Sequence, residues 1–384
     1  MHPTIVILIS AALLLCGPAH AGQVGERHLT GVNPTAMLRD AEHRDSVRVT
    51  VWYPAAADAK EISRDVGPPD DPLFLIGKAA PDAAFVDDAR RPVILFSHGF
   101  GGNARVMGWF TLPLARAGYI VIAVDHPGNN TSDKMTLGGA IMFWDRPGDL
   151  TAALEAAKAD PAIGSHLDLK RLGVAGFSAG GFTAIAATGA RVDTGRLEAF
   201  CDANPTDGIC MPQKEFPLST QQMLTAMKTS PELASEAAHS GDDHSIHGVR
   251  AAFAIAPAIV QALDPASLKV DNTPVAIILG DADAVAPPAT NGLVAVRNLP
   301  HVELKTLSGI GHYDFLATCT PRGVVVVPVC GDGHPRESAH QAVIAMALAF
   351  FARALGPRSA ACSVCTHSTA LADLGPASGI GNFR

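Results

Sequence analysis

Short runs of apolar residues recur along most of the chain, and polar or small-residue segments separate them. Predicted strands lie at 92–96, 119–124, 172–177, 249–255, 275–279 and 302–307. The most continuous of these runs are typical of strands covered on both faces of a sheet. The segment 48–53 differs, because its apolar and polar residues alternate and it stops at Pro54. Since proline has no N–H to donate to a neighbouring strand, this pattern predicts an edge strand.

Helical segments are predicted between the strands, at 103–117, 146–158, 181–189 and 337–355, and residues 55–91 are predicted to be a loop. Strands that alternate with helices imply a mostly parallel central sheet with helices on both faces. The alternation stops after Gly189, where a polar segment follows that is too long for a simple connection. We therefore expect one catalytic domain at 22–356 with a cap inserted at 190–247, and a loose tail at 357–384.

The N-terminus has the pattern of a secretory leader. An apolar run at 5–15 is followed by small residues that end in Ala19-His20-Ala21. This run is too short to span a membrane, and Ala-x-Ala is a cleavage site, so we expect a signal peptide at 1–21. The leader departs from the usual pattern because it has His2 but no lysine or arginine before the apolar run. The alternative interpretation is an ordinary buried first helix.

Cysteine spacing agrees with export to the periplasm or the medium. Six cysteines follow the predicted leader and lie in close pairs along the chain, which suggests three local disulfides in an oxidising compartment. A redox or metal motif is the alternative for the last pair, but that pair lies in a polar tail with no strand before it. The three pairs are Cys201 and Cys210, Cys319 and Cys330, and Cys362 and Cys365.

Composition narrows the classes of partner. Apolar residues make up 48% of the chain and charged residues 17%, which is enough for a sizeable core and argues against extensive disorder. The net charge is −8 and there are no basic clusters, so neither nucleic acid nor an anionic membrane is an expected partner. We expect a monomer without stable membrane insertion.

The segment Gly176-Phe177-Ser178-Ala179-Gly180 carries the strongest chemical signal. An apolar strand precedes it and helix formers follow it, which is the context of a nucleophile elbow. In such a turn the serine adopts a strained backbone conformation that exposes its hydroxyl. Glycines flank the turn because a side chain there would crowd the opposing backbone. We predict that Ser178 is a catalytic nucleophile.

An acid and a base follow this serine in the order that such a nucleophile requires. Asp281 and Asp283 both lie just after the predicted strand 275–279, and His312 lies after 302–307 in a glycine-containing loop. An aspartate directly after a strand commonly shapes a turn, so we predict that Asp283 rather than Asp281 holds the histidine. His312 is the predicted base, whereas His301, His334 and His340 lack such a context.

Two backbone amides are expected to bind the oxyanion. Ala179 follows the predicted nucleophile and supplies one N–H, and Phe100 in the glycine-rich loop 97–102 supplies the other. The alternative for this loop is a phosphate-binding turn. That alternative is weak because the loop lacks both the Lys-Ser/Thr ending of a P-loop and a continued dinucleotide pattern.

Three further residues are candidates for substrate contact. His126 and Asn129 follow a predicted central strand and could rim the cleft, although they could equally shape the turn at Pro127-Gly128. Trp144 could line an acyl pocket or pack on the sheet. A polar cluster within the predicted cap has the residue types of a metal site, but such clusters are usually solvated, so we predict neither metal nor cofactor. The cluster comprises His239, Asp242, Asp243, His244 and His247.

The chain resembles α/β-hydrolases of the predicted dienelactone-hydrolase and platelet-activating-factor-acetylhydrolase-like group, with some similarity to bacterial cutinase-type esterases. The motifs that carry the resemblance are Phe96-Ser97-His98-Gly99-Phe100-Gly101-Gly102, Asp125-His126-Pro127-Gly128-Asn129, Asp145-Arg146-Pro147-Gly148-Asp149, Gly176-Phe177-Ser178-Ala179-Gly180-Gly181 and Gly311-His312-Tyr313-Asp314-Phe315.

The resemblance implies an α/β-hydrolase fold in which Ser178, Asp283 and His312 form a triad and Phe100 and Ala179 donate to the oxyanion. Dienelactone hydrolases use a cysteine nucleophile where this chain has serine, so dienelactone is not the expected substrate. The expected activity is cleavage of small-molecule or polymeric carboxylic esters through an acyl-enzyme. The alternatives are an amidase or peptidase on the same triad, and an inactive fold that serves as a binding protein.

Overall fold

The structure is a computed structural model that describes residues 22–331 and 336–356. The predicted leader at 1–21, the tail at 357–384 and the pair Cys362 and Cys365 lie outside the described residues. The strands are β1 (Gln23–Val32), β2 (Ser46–Ala55), β3 (Ile62–Ser63), β4 (Phe74–Leu75), β5 (Lys78–Pro81), β6 (Arg91–Ser97), β7 (Ile120–Asp125), β8 (Leu167–Phe177), β9 (Val249–Ile255), β10 (Val275–Gly280), β11 (Val302–Leu307) and β12 (Thr318–Cys319).

Helices occupy most of the connections between the longer strands. They are α1 (Gly108–Arg116), α2 (Leu137–Ile141), α3 (Arg146–Ala159), α4 (Ala179–Ala186), α5 (Thr194–Ala203), α6 (Thr220–Thr229), α7 (Pro231–Ala237), α8 (Pro265–Val270), α9 (Gly292–Asn298), α10 (Pro321–Val326) and α11 (Glu337–Leu355).

Ten strands form one sheet in the order β11-β10-β9-β8-β6-β7-β2-β1-β5-β3. From β11 to β7 every neighbouring pair is parallel, and β2 then pairs antiparallel with both β7 and β1. Short β4 and β12 pair separately. The predicted mostly parallel α/β sheet is confirmed.

Helices cover both faces of this sheet, which explains the continuous apolar runs. In β6, Val93 and Leu95 pack into the same cluster as the buried residues of α3 and α4. Ile94 and Phe96 point to the opposite face and pack with α1 and α11. Because both faces of a parallel strand are buried here, alternation is lost from the sequence and apolar residues follow one another.

The prediction of an edge strand at 48–53 was wrong. β2 lies inside the sheet between β1 and β7, and Pro54 stands near its end, opposite Val24 of β1. Apolar and polar residues alternate in this segment because several side chains of β2, like several of its neighbour β1, are partly exposed. The strand β1 was missed for the same reason. The predicted loop 55–91 also contains β3, β4 and β5.

Helices α5, α6 and α7 lie within the predicted cap segment 190–247. A disulfide joins Cys201 of α5 to Cys210, and a second joins Cys319 of β12 to Cys330. Among the described residues, α11 is the one helix long and apolar enough to cross a membrane. Its Phe350 and Phe351 instead pack against Phe253 of β9 in the core.

Candidate active site

Ser178 stands on a sharp turn between β8 and α4. Its backbone angles are φ 57° and ψ −119°, a conformation that is strained for any residue except glycine. The amide of Ser178 donates to the carbonyl of Ile255 at the end of β9, 2.8 Å away. A Cβ on Gly176 would overlap the Gly180 carbonyl, and one on Gly180 would overlap the Ser97 carbonyl. The two flanking glycines are therefore required by close backbone approach.

The structure brings Ser178, His312 and Asp283 together in one hydrogen-bonded chain. Nε2 of His312 lies 2.8 Å from Oγ of Ser178, and Nδ1 lies 2.6 Å from Oδ2 of Asp283. All three residues are buried. With Nδ1–H donating to the carboxylate, Nε2 is left to accept the serine proton, which is the arrangement a general base needs.

The loop after β10 orients Asp283. Its second carboxylate oxygen accepts hydrogen bonds from the amides of Val285 and Ala286, at 2.9 and 2.7 Å. Asp281 is exposed and accepts a bond of 2.6 Å from the amide of Gly309. Asp281 thus braces the turn that precedes His312, whereas Asp283 contacts the imidazole itself.

The two predicted oxyanion donors both border the space beside Ser178. Ala179 is the first residue of α4, so its N–H lies at the helix end where amides lack an intrahelical acceptor. Phe100 lines the same space, and its N–H donates to no acceptor in residues 22–331 and 336–356. Both amides are available to a substrate oxygen.

Buried side chains hold the Phe100 loop from behind. Oδ1 of Asn129 accepts the amide of Gly101 at 3.0 Å and Nη1 of Arg146 at 3.2 Å. Nη2 of Arg146 donates to the carbonyl of His98. Nδ1 of His98 donates to the carbonyl of Gly99 at 2.6 Å. These contacts fix the peptide groups on both sides of Phe100.

A second serine–histidine–aspartate chain lies under this loop. Nε2 of His126 is 2.8 Å from Oγ of Ser97, and Nδ1 is 2.8 Å from Oδ2 of Asp149. Arg39 donates two bonds of 2.7 Å to the same carboxylate. Burial and the charge of Arg146 lower the pKa of His126 to about 3. Burial alone would raise the pKa of Asp149, but Arg39 and His126 bring it well below its usual range.

The three predicted substrate contacts therefore have other positions. His126 and Asn129 are 1% exposed, and Trp144 is fully buried in the core cluster with α3 and α4. Neither of the two cavities beside Ser178 is lined by any of the three. Their sequence context after a strand or before a helix was correct, but their polar or aromatic groups face the protein interior.

Two cavities meet at Ser178. The larger one, about 390 Å³, runs past His312 and the Gly99–Gly102 loop to a wall that includes Leu316 and Val327. The smaller one, about 60 Å³, runs past Ala179 among apolar residues of α2, α5 and α6. Ser178 and Phe100 line both. A substrate carbonyl at Ser178 therefore has a separate space on each side.

Sequence reasoning missed the polar edge of the larger cavity, which the cap supplies. Gln213, Lys214 and Glu215 all line that cavity. Tyr313 lines the same cavity, and burial is the main cause that raises the pKa of both Glu215 and Tyr313. Lys214 Nζ stands 4.8 Å from the centre of the Tyr313 ring. No motif marks Gln213, Lys214 and Glu215, because they reach the site only through folding of the insertion.

The polar cluster of the cap does not converge on one point. His239 bonds Asp242, Asp243 bonds Arg191, and His244 bonds the carbonyls of His239 and Ser240. Within residues 22–331 and 336–356, no group of three or more histidine, cysteine, aspartate or glutamate side chains is arranged to hold a metal ion.

The sheet order, the strand–turn–helix at Ser178 and the loops after β10 and β11 together define an α/β-hydrolase. The chain belongs to the serine aminopeptidase S33 family of α/β-hydrolases, whose family model matches residues 88–315. No curated protein is significantly similar to the chain in sequence.

Among solved structures, the chain is similar to a ferulic acid esterase from Streptomyces cinnamoneus. The TM-score is 0.57 at 20% sequence identity, and the match covers 89% of this chain and 92% of that chain. At this identity the likeness establishes the fold alone. Since 1052 solved chains match, the fold does not by itself select a substrate.

Proposed function

We propose that the protein is a carboxylic ester hydrolase that works through an acyl-enzyme on Ser178. The observation that carries the proposal is the hydrogen-bonded chain from Ser178 through His312 to Asp283 at the junction of two largely apolar cavities. Apolar cavities with a few convergent polar groups suit an uncharged ester. The family match and the esterase neighbour support hydrolysis as the class of reaction.

In the proposed reaction, Nε2 of His312 accepts the Ser178 proton while Oγ attacks the ester carbonyl. The amides of Phe100 and Ala179 donate to the oxyanion that forms. Asp283 stabilises the imidazolium, which then gives its proton to the leaving alcohol as the C–O bond breaks. Water loses a proton to His312, attacks the acyl carbon, and the acid leaves as Ser178 regains its proton.

We also infer a place for the protein within the superfamily and in the cell. The five motifs support the dienelactone-hydrolase and platelet-activating-factor-acetylhydrolase-like group, with serine in place of cysteine as nucleophile. The two disulfides of the described residues support an oxidising compartment. Together with the leader pattern at 1–21, they support export.

A peptidase is the second candidate, and Glu215 is the observation that favours it. An aminopeptidase must bind the free amino group of its substrate, and a carboxylate in the cavity could pair with that group. Glu215 lines the larger cavity near His312. Against this role, Lys214 lines the same cavity, and its positive charge would repel a substrate ammonium group. Aminoacyl anilides with free and with acetylated amino groups separate the two candidates.

The deciding experiment treats the protein with a fluorophosphonate and then compares p-nitrophenyl acetate with an acetanilide analogue. The proposal predicts labelling of Ser178 and much faster cleavage of the ester. Turnover of free-amino anilides that Glu215→Gln abolishes would support the peptidase instead. Absence of both labelling and turnover would identify an inactive fold that acts as a binding protein.

A further inference from the structure

The two cavities beside Ser178 differ in which catalytic group they contain. His312 lines the larger cavity, whereas Ala179 lines the smaller one. Phe100 and Ser178 lie at the junction and border both. The cavities are therefore distinguished by chemistry as well as by volume.

The proposed reaction fixes which half of an ester enters each cavity. The carbonyl carbon must lie at Oγ of Ser178 with its oxygen toward the amides of Phe100 and Ala179. The alcohol oxygen must come within hydrogen-bond reach of Nε2 of His312, because the imidazolium protonates it. The alcohol thus leaves through the cavity that contains His312. The acyl chain is left with the smaller cavity.

Volume then sets the size of the acyl group. One water-sized or methyl-sized group needs roughly 10–15 Å³ of such space, and the smaller cavity offers about 60 Å³. Acyl chains of up to roughly four carbons beyond the carbonyl fit on this basis. The larger cavity, about 390 Å³, has room for a ring system or a long chain.

The walls explain why the small cavity does not adapt to a longer chain. Ile141, Phe143, Leu197 and Met223 line it, and all four are buried in one close-packed cluster. Enlarging such a cavity would require several core side chains to move together. The larger cavity is bounded by the segment 327–329, which follows α10, whose valines at 324–326 are exposed. This wall lies at the protein surface and not in the close-packed core.

We propose that the smaller cavity is the acyl subsite and the larger cavity is the alcohol subsite. The preferred substrates are then esters of short-chain acids with bulky, apolar alcohols. This inference rests on the proposed ester hydrolysis, and it adds the substrate class.

Two ester series test the assignment. In the first, the alcohol is constant and the acid is acetic, butanoic or octanoic; in the second, acetate is joined to ethanol, benzyl alcohol or naphthylmethanol. We expect kcat/KM to fall by about tenfold or more per methylene once the acyl chain exceeds the cavity. In the second series kcat/KM should stay constant or rise with alcohol size. Fastest cleavage of octanoates, or rejection of the naphthylmethyl ester, would overturn the assignment.

A matched pair of variants identifies the cavities. Met223→Ala and Leu316→Ala each shorten one apolar side chain, in the smaller and the larger cavity respectively. Met223→Ala should raise the octanoate-to-acetate ratio of kcat/KM about tenfold, whereas Leu316→Ala should change the ratio among alcohols instead. Each ratio is measured within one preparation, so partial unfolding cancels.

The two proposals fail in different ways. If ester hydrolysis is wrong, no ester turns over and no acyl group forms on Ser178. If only the subsite assignment is wrong, esters are cleaved but the effects of Met223→Ala and Leu316→Ala are exchanged or absent.

Discussion

Two serine–histidine–aspartate chains of nearly equal geometry lie on opposite sides of the Phe100 loop. In one, His312 joins Ser178 and Asp283 at 2.8 and 2.6 Å. In the other, His126 joins Ser97 and Asp149 at 2.8 Å on each side. The first chain borders both cavities, whereas the second is enclosed in protein. A hydrogen-bonded chain of serine, histidine and aspartate is therefore not sufficient to make its serine a nucleophile.

Electrostatics opposes proton transfer in the second chain. A general base must accept a proton and be stable as an imidazolium. The pKa of His126 is lowered to about 3 because it is buried and Arg146 lies nearby. Asp149 cannot compensate, since Arg39 already shares its carboxylate. The second chain is suited to holding the Phe100 loop in place and not to moving a proton.

The largest expected difference between the chains comes from removing each serine hydroxyl. Ser178→Ala should lower kcat by about 10⁴–10⁶-fold, because the acyl-enzyme can no longer form. Ser97→Ala should leave kcat within about tenfold and lower the free energy of unfolding by about 1–3 kcal/mol, because His126 loses a buried partner. Ester turnover and urea unfolding of both variants check this, and a larger loss of kcat in Ser97→Ala would contradict it.

The next largest effect on kcat is expected from substitution of Asp283, with Asp281 as its control. Asp283→Asn should lower kcat by about 10⁴-fold, since an amide cannot hold the imidazole in the same tautomer. The matched control Asp281→Asn removes one acceptor from the turn at Gly309 and should cost about tenfold at most. The reverse order of kcat values would show that the acid is misassigned.

A smaller effect on kcat is expected from substitution of Arg146, which lies between the two serine–histidine–aspartate chains. Arg146→Met removes the bonds to Asn129, to Oγ of Ser97 and to the His98 carbonyl, so the Phe100 amide should lose its alignment. Because complete loss of one oxyanion donor costs about 10²–10³-fold in kcat, we expect a loss at or below that range with little change in KM. Affinity for a trifluoromethyl ketone should fall in parallel with kcat, and unchanged affinity would refute the positioning role.

Per pH unit, the pH dependence of stability is the smallest predicted effect. A histidine in the unfolded chain titrates near pH ~6.5, whereas His126 has a pKa of about 3 when folded. The unfolded chain binds this proton first, so the free energy of unfolding should fall as pH drops from about 6.5 toward 3. The contribution reaches about 1.4 kcal/mol per pH unit.

His126→Gln provides the comparison for this pH effect, because it removes the titrating group. Urea unfolding between pH 7 and pH 4 should show a shallower slope for the variant than for the unsubstituted protein. Equal slopes would mean that His126 is not held neutral in the folded protein.

The sequence predicted the three residues of the first chain but left the role of His126 open, and both outcomes have one physical reason. Ser178, Asp283 and His312 each lie at the carboxyl end of a parallel strand, so strand order alone brings them to one edge of the sheet. His126 also follows a parallel strand and has the same local context. Only its distant partner Asp149 on α3 shows that it faces inward, and such long-range pairing leaves no local pattern.

The residues that line the cavities could not be predicted from the sequence, for a related reason. Glu215 reaches the site through the cap, whose packing depends on contacts between α2, α5 and α6. Strand β1 was also missed, since its partial exposure gives it the composition of a loop. Apolar runs predicted the parallel strands well because burial on both faces leaves a clear signal.

Trapping the acyl-enzyme tests most directly whether Ser178 is the nucleophile. The protein is mixed with p-nitrophenyl acetate, quenched in acid within the first turnovers, digested and mapped by mass spectrometry. If Ser178 is the nucleophile, an acetyl group is expected on the peptide that contains Ser178 and none on the peptide that contains Ser97. Acetylation at Ser97, or ester turnover with Ser178 never acetylated, would contradict this assignment.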